Sequence, residues 1–226
     1  MLGRTNTYEH RDRPFTGFKL AQAVLSADGR RAGFSGLSIG AHRVYGVTAD
    51  AGCVWNSKHE PPKRRCGCGF YCLSTLDEAR GLGCASANRV AVLLEVAASG
   101  RFIHYERGFR YSRQRVRAIR CVACRCGRSA DGLVDSGSGF AGWRCLAVTC
   151  QICAAGRPSV SFGEFAECLD GPVSVEACPA AGLARSGPAS RPQSAAILTA
   201  EIALMQARLD DLQARVAHLY DGPGGG

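Results

Sequence analysis

The cysteine content is the feature of this chain that most restricts how it can fold. Thirteen of its 226 residues are cysteine, which is an odd number. The N-terminus, Met1-Leu2-Gly3-Arg4, runs into polar residues and lacks the apolar segment of a secretory signal. A disulfide framework is therefore disfavoured, because disulfides persist in oxidising compartments. Clustered cysteines in a reducing compartment usually bind metal, so the sequence predicts a cytoplasmic metal-binding protein.

Two Cys-x-x-Cys pairs form the clearer of two cysteine clusters. The pairs are Cys121 with Cys124 and Cys150 with Cys153, and twenty-five residues separate them. Two such turns offer four thiolates to one ion and predict a tetrahedral, structural zinc site of the ribbon type. The gap is longer than the usual spacing of about 15–20 residues.

Two further cysteines leave the ligand set of this cluster open. Cys126 is followed by a glycine and is an alternative to either member of the first pair, while Cys145 is a spare thiol. Iron–sulfur ligation also needs four thiolates and is the less favoured alternative to zinc.

A second cluster precedes the first and predicts a second zinc site. A Cys-x-Cys can chelate one ion if its backbone turns, which Gly67 and Gly69 permit. The alternative is that Cys53 and Cys72 pack in a core and that His59 caps a turn. The predicted ligands are Cys53, His59, Cys66 and Cys68.

Short motifs between residues 15 and 115 resemble a family of uncharacterised actinobacterial proteins. The family pattern is His-x-x-Pro, then Cys-x-Cys-Gly-hydrophobic-Tyr, then a strand that ends in Glu-Arg-Gly-aromatic-Arg. This chain departs from it at Ala98-Ser99-Gly100, where the family commonly has Leu-Trp-Gly. The resemblance implies that the four residues of the second cluster act together, and it implies no activity. The matching stretches are Phe15-Thr16-Gly17-Phe18-Lys19-Leu20, Cys53, His59-Glu60-Pro61-Pro62, Cys66-Gly67-Cys68-Gly69-Phe70-Tyr71, Glu95, Gly100 and His104-Tyr105-Glu106-Arg107-Gly108-Phe109-Arg110.

An arginine-rich segment indicates where an anionic partner would bind. Residues 101–128 contain nine arginines and one acid, Glu106. In an extended strand, alternate residues share a face, so arginine and aromatic side chains would lie together and could grip phosphates and stack bases. The alternative is an ordinary solvated strand face. The predicted nucleic-acid-binding residues are Phe109, Arg110, Tyr111, Arg113, Arg115 and Arg117.

A heptad pattern predicts a C-terminal coiled-coil helix over residues 194–220. Ser194 can cap its start, and Asp221-Gly222-Pro223 ends it. The apolar stripe is narrow, which favours a homo-oligomer, preferably a dimer, or a partner helix over packing on the chain's own domain. The seam residues are Leu198, Ile202, Met205, Leu209, Leu212, Val216 and Leu219.

Catalysis is the least favoured interpretation, and no catalytic residue is assigned. A thioredoxin-like site needs a Cys-x-x-Cys at the start of a helix in a βαβ unit, and neither predicted pair fits that pattern. No cysteine stands out as a nucleophile paired with one of the five histidines. A metal-dependent enzyme would need an open coordination position in the second cluster.

No apolar run of eighteen residues is present, so no membrane helix is expected.

The predicted fold class is α+β, with a small β-rich domain, a zinc-ribbon-like module and the coiled-coil helix. Ser74 and the residues after it predict a short helix, and Gly100 predicts a hairpin turn. The expected function is that of a non-catalytic, zinc-binding regulatory or scaffold protein, with nucleic-acid binding as the first alternative. The predicted segments are 1–118 (β-rich domain), 119–156 (zinc-ribbon-like module), 157–178 (irregular), 179–193 (linker), 194–220 (coiled coil) and 221–226 (tail).

Overall fold

The computed structural model describes residues 9–37, 43–53, 58–84, 90–120, 124, 126–176 and Gln213. Of these, 53% lie in strands and 13% in three short helices. The predicted α+β class is therefore wrong, because the glycine-punctuated segments form long paired strands and the helices are confined to connections. Among the described residues, no long C-terminal coiled-coil helix is shown. The segment predicted to form it, 194–220, lies outside the described residues apart from Gln213.

The described part of the chain contains eleven strands and three helices. They are β1 (Glu9–Ser26), β2 (Ala32–Ser35), β3 (Val44–Tyr45), β4 (Thr48–Asp50), β5 (Phe70–Leu73), α1 (Leu76–Cys84), β6 (Val92–Tyr105), β7 (Gly108–Arg120), β8 (Gly132–Phe140), β9 (Trp143–Thr149), α2 (Gln151–Ala154), β10 (Ser159–Ser161), α3 (Phe162–Glu167) and β11 (Ser174–Glu176).

Strand β1 organises the sheet because it pairs with partners from both halves of the chain. Its first part is antiparallel to β6, and its last part lies between β2 and β9. Strands β6 and β7 form a long hairpin, and β5, β4 and β11 follow one another along the other edge of β7. A single pairing of Phe18 with Leu73 joins β5 back to β1, so β1, β6, β7 and β5 form a closed circuit.

The hairpin predicted near Gly100 turns elsewhere. Strand β6 continues through Gly100 with a bulge between Ser99 and Phe102, and the chain reverses at residues 106–107. Gly100 has φ +82, and a Cβ there would collide with the Ser112 hydroxyl. The glycine therefore marks a bulge, which is the other common role of glycine in a strand.

One hydrophobic core extends across the predicted boundary at residue 118. Phe34 and Phe102 from the first segment are in the same core cluster as Leu133 and Leu146 from the predicted ribbon. Phe165 joins it from α3, in the segment predicted to be irregular. Strands on both sides of that boundary also share β1.

The short helix expected after Ser74 is α1, and its cap is the next residue. The Thr75 hydroxyl accepts a hydrogen bond from the Glu78 amide and donates one to its carboxylate. The hydroxyl thereby satisfies one of the backbone amides that lack a partner at the start of a helix. Among the described residues, no helix is long and apolar enough to cross a membrane.

Candidate metal centres

The first metal centre, called the Cys–His site, lies beside one edge of β7. Its first ligand follows β4, and its last two immediately precede β5. Both strands pair with β7, so the sheet brings together residues that the sequence separates. The site consists of Cys53, His59, Cys66 and Cys68.

The spacing of its donor atoms suits a tetrahedral ion. The Cys53 and Cys66 sulfurs are 3.7 Å apart, and His59 Nε2 is 3.3 Å from the Cys68 sulfur. All four donor atoms lie within 4.8 Å of one another. Zinc–sulfur bonds of about 2.3 Å in a tetrahedron place two sulfurs about 3.8 Å apart. A disulfide would bring them to about 2.05 Å, and the three cysteines are free thiols. The site could therefore hold a metal ion.

A buried arginine holds the loop that carries this site. The Arg110 side chain is 3% exposed, and its guanidinium donates to the backbone carbonyls of Lys63 (2.9 Å) and Cys66. The Cys66 amide donates to the Lys63 carbonyl at 3.0 Å. Strand β7 thus fixes the turn that presents two of the ligands, which orients them before an ion binds.

Burial makes a metal ion at the Cys–His site compete with a firmly held proton. The Cys68 thiol is buried, and this burial raises its pKa to about 12. A thiol ligates metal as the thiolate, so an ion must displace its proton. Binding at this site is therefore expected to weaken as the pH falls.

The second metal centre, called the four-cysteine site, lies where β7, β9 and α2 end or begin. Two ligands follow β7 in sequence; the other two are the residue after β9 and a residue of α2. The Cys126 and Cys150 sulfurs are 3.6 Å apart, and all four sulfurs lie within 4.8 Å of one another. This spacing also suits a tetrahedral ion. The site consists of Cys124, Cys126, Cys150 and Cys153.

Two tight turns present these cysteines. The Gly127 amide donates to the Cys124 carbonyl at 2.8 Å, and Gly127 has φ +83. Cys150 is the N-cap residue of α2, and the Asp131 carboxylate accepts from the Gln151 amide at 3.1 Å. Each half of the site is therefore fixed by backbone hydrogen bonds.

Cys126 differs from the other ligands because it is exposed and lies next to an arginine. Hydrogen bonds from the Arg128 backbone and side chain lower the Cys126 pKa to about 6. Cys153, which hydrogen bonds to the neighbouring cysteines, has its pKa raised to about 12. One thiolate is therefore ready at neutral pH, and its negative charge keeps the proton on its neighbour.

The structure brings together all four residues predicted for the Cys–His site and three of those predicted for the four-cysteine site. Cys126, the alternative ligand, completes the second set, and Cys121 lies outside the described residues. A signal for Cys126 was present in the sequence. Cys66-Gly67-Cys68-Gly69 and the segment from Cys124 to Gly127 share the pattern Cys-x-Cys-Gly.

The other cysteines and the helix start at Cys150 also bear on the redox interpretation. Cys72, Cys145 and Cys168 are free thiols outside both clusters of the described residues. The Cys-x-x-Cys of Cys150 and Cys153 does lie at a helix start, because Cys150 caps α2. That helix is only four residues long, and its two cysteines belong to the four-cysteine site.

The prediction that aromatic and arginine side chains share one exposed face of β7 is wrong. Arg113, Arg115 and Arg117 are exposed, whereas Phe109 and Tyr111 are buried in the core. Burial along β7 passes from Phe109 and Tyr111 to Gln114 and Val116 opposite the bulge in β6, so the aromatic and arginine side chains do not form one exposed face. Arg110 is also buried and binds the loop of the Cys–His site, and Arg113 forms an ion pair with Asp50 at 2.6 Å.

Comparisons with known proteins identify no relative. No protein-family model, curated protein or solved structure matches the chain. The resemblance to an actinobacterial family stays a prediction, and function has to be inferred from the residues themselves.

Proposed function

We propose that the chain is a non-catalytic, zinc-binding regulatory or scaffold protein in which two structural zinc ions stabilise a β-sheet. The observation that carries this proposal is the presence of two separate sets of four cysteine or histidine donors, each within 4.8 Å. Four protein ligands close the coordination shell, and closed zinc sites are structural, whereas catalytic ones keep a position open.

The donor types favour zinc over other ions. Thiolate and imidazole are soft or borderline ligands, which disfavours calcium and magnesium. The histidine also argues against an ordinary four-cysteine iron–sulfur cluster in the Cys–His site. Iron–sulfur ligation stays the less favoured alternative at both sites, since histidine replaces cysteine in some clusters.

The positions of the two sites explain what structural zinc would contribute. The Cys–His site ties the segment after β4 to the start of β5, and the four-cysteine site ties the residues after β7 to the end of β9. Ions that bind only the folded chain stabilise it by mass action. The ions would hold the connections between strands in place and leave the sheet surface for a partner.

Metal analysis tests this proposal. We expect two zinc ions per purified chain, with one lost in Cys66→Ser and the other lost in Cys150→Ser. Cobalt substituted at each remaining site should give the spectrum of a tetrahedral ion that added cyanide leaves unchanged. Iron with visible absorption would contradict zinc, and a cobalt spectrum that responds to cyanide would contradict a closed, non-catalytic site.

A further inference from the structure

Two exposed tyrosines lie together beside the Cys–His site. Among the described residues, the exposed large hydrophobic side chains are Tyr71 (45%), Tyr105 (51%), Ile152 and Val175. The two tyrosines flank one guanidinium, since the Arg110 carbon is 5.4 Å from the ring centroid of Tyr71 and 5.9 Å from that of Tyr105. Two of the four exposed apolar side chains therefore form one surface, here called the tyrosine platform.

Strand register explains why the rings share a face. Tyr71 on β5 is directly opposite Arg110 on β7, and Tyr105 on β6 is opposite Gly108, two residues from Arg110. Directly opposed residues point to the same side of a sheet, as do residues two apart along a strand. The platform is thus a property of three paired strands and does not depend on a loop.

The Tyr71 ring is held rigidly. Its hydroxyl donates to the Gly67 carbonyl at 3.2 Å and accepts from Arg110 at 3.0 Å. The remaining Arg110 hydrogen bonds go to the Lys63 and Cys66 carbonyls, so this arginine positions the platform and does not contact a ligand. A ring fixed by its hydroxyl loses little entropy when a flat group stacks on it.

The loop beside the platform is strongly basic. Lys63, Arg64 and Arg65 are all exposed, and no acidic residue occurs between Pro61 and Leu76. The hydrogen bond from Arg110 to the Lys63 carbonyl joins this loop to the platform. Three adjacent positive charges create a local potential that attracts anions such as phosphates.

We propose that the tyrosine platform and the basic loop of Lys63, Arg64 and Arg65 bind single-stranded nucleic acid. Stacked bases would cover the rings of Tyr71 and Tyr105, and the loop would contact the phosphates. Stacking on aromatic rings tolerates any base, since every base has a flat π-face. A duplex hides those faces, so the platform selects unpaired strands. This site differs from the arginine face of β7. The proposal rests on the proposed zinc sites only because the 63–68 loop carries two of the proposed ligands.

Anisotropy titrations of the full-length, metal-loaded protein test the proposal. The probes are labelled oligouridylate, labelled oligothymidylate and a labelled duplex of equal length. We expect both single strands to bind in a salt-dependent way and the duplex to bind more weakly. Tyr105→Ala should lower single-strand affinity about 5- to 150-fold, the range for one lost stacking contact. Tyr105→Phe keeps the ring and should retain affinity.

Two triple variants with equal charge loss locate the binding surface. Changing Lys63, Arg64 and Arg65 to alanine should weaken binding and make it less salt-dependent, by about 0.7 in slope for each lost phosphate contact. Changing Arg113, Arg115 and Arg117 to alanine should have a smaller effect. A larger effect from the second variant would place the surface on β7 and overturn the proposal.

Zinc content separates a failure of this proposal from a failure of the zinc sites. Each variant is compared at equal zinc content. Tyr105→Ala with two zinc ions and lost binding supports the platform. A protein that purifies without zinc and still binds the single strands would contradict only the zinc proposal. No binding of either single strand, equal binding of the duplex, or Tyr105→Ala with unchanged affinity would each overturn the platform, and the tyrosines would then mark a protein interface.

Discussion

The Cys–His site and the four-cysteine site contain the same local motif in different surroundings. Each has a Cys-x-Cys followed by a glycine of positive φ, +115 at Gly69 and +83 at Gly127. The second cysteine of the motif is buried in the first site, as Cys68, and exposed in the second, as Cys126. The pKa is raised in the first thiol and lowered in the second.

Burial at one site and a neighbouring arginine at the other account for this difference. Burial raises the pKa of Cys68, and the buried Arg110 beside it donates to two backbone carbonyls and the Tyr71 hydroxyl. Arg128 hydrogen bonds to the sulfur of Cys126 and stabilises the thiolate. The motif sets where the donors lie, and the surrounding fold sets how readily they lose their protons.

Replacing the two arginines should give the largest difference between the two sites. Arg110→Ala removes a buried side chain that donates to the Lys63 carbonyl, the Cys66 carbonyl and the Tyr71 hydroxyl, so we expect the free energy of unfolding to fall by about 3 kcal/mol. Arg128→Ala should leave that free energy unchanged, because Arg128 lies at the surface. Urea unfolding of the zinc-loaded proteins measures both values. Equal losses in the two variants would show that the arginines play the same role.

Alkylation should distinguish the two motif cysteines by about 100-fold. In metal-free protein at pH 7, Cys126 with a pKa of about 6 is mostly thiolate, whereas Cys68 with a pKa of about 12 is a thiol. The lower nucleophilicity of an acidic thiolate offsets part of this advantage. Peptide mass spectrometry after a short exposure to iodoacetamide gives the two rates.

The pH dependence and a variant provide the controls for that ratio. The Cys126 rate should fall as the pH drops below about 6, because its thiolate is then protonated. Arg128→Ala should slow Cys126 at pH 7 and leave Cys68 unaffected. A Cys68 rate equal to that of Cys126 would mean that burial does not protect the Cys–His site.

Substituting the two motif glycines should give a smaller but informative contrast. An alanine Cβ at Gly69 would lie 2.8 Å from the Arg110 Cγ and 3.1 Å from the Pro62 Cβ, whereas at Gly127 nothing lies within 4 Å. Both substitutions force a non-glycine residue to positive φ, which costs about 1–3 kcal/mol. The collision should make Gly69→Ala worse by about another 1–3 kcal/mol. Matching melting temperatures for the two variants would rule out this difference in packing.

Removal of metal by a chelator should show the smallest difference. Cys126 is exposed and Cys68 is buried, so a chelator reaches the four-cysteine site more readily. Cys66→Ser and Cys150→Ser leave one site each, and a zinc-sensitive dye follows release from the remaining site. We expect several-fold faster release from Cys66→Ser, which keeps the four-cysteine site. Slower release from that variant would show that the chelator reaches the Cys–His site more readily than the four-cysteine site.

The two clusters that could hold a metal ion were largely predictable from the sequence, because spacing and residue type constrain such clusters directly. Cys53, His59, Cys66 and Cys68 were all identified this way, and Cys126 was identified as an alternative. Choosing it over other thiols would have required recognising the shared Cys-x-Cys-Gly pattern.

The fold and the role of Arg110 could not be predicted in the same way. A period of two places Arg110 on the face opposite Arg113 but does not show that β5 and the 63–68 loop cover it. A bulge resets the alternation, and sequence periodicity cannot place a bulge. The α+β class was wrong although a β-rich first domain was predicted, because strands such as β9 pair with β1, far along the chain.

Strand β1 has a consequence for how the protein acquires its structure during synthesis. Ala23 pairs with Phe34 of β2 on one side and with Leu146 of β9 on the other, so the second side of β1 waits for a strand made much later. A ribosome adds about 5–20 residues per second, which leaves β1 without its β9 partner for on the order of ten seconds. Contacts so distant in sequence also form slowly. The edge of β1 that pairs with β9 therefore stays unpaired in the nascent chain until β9 is made.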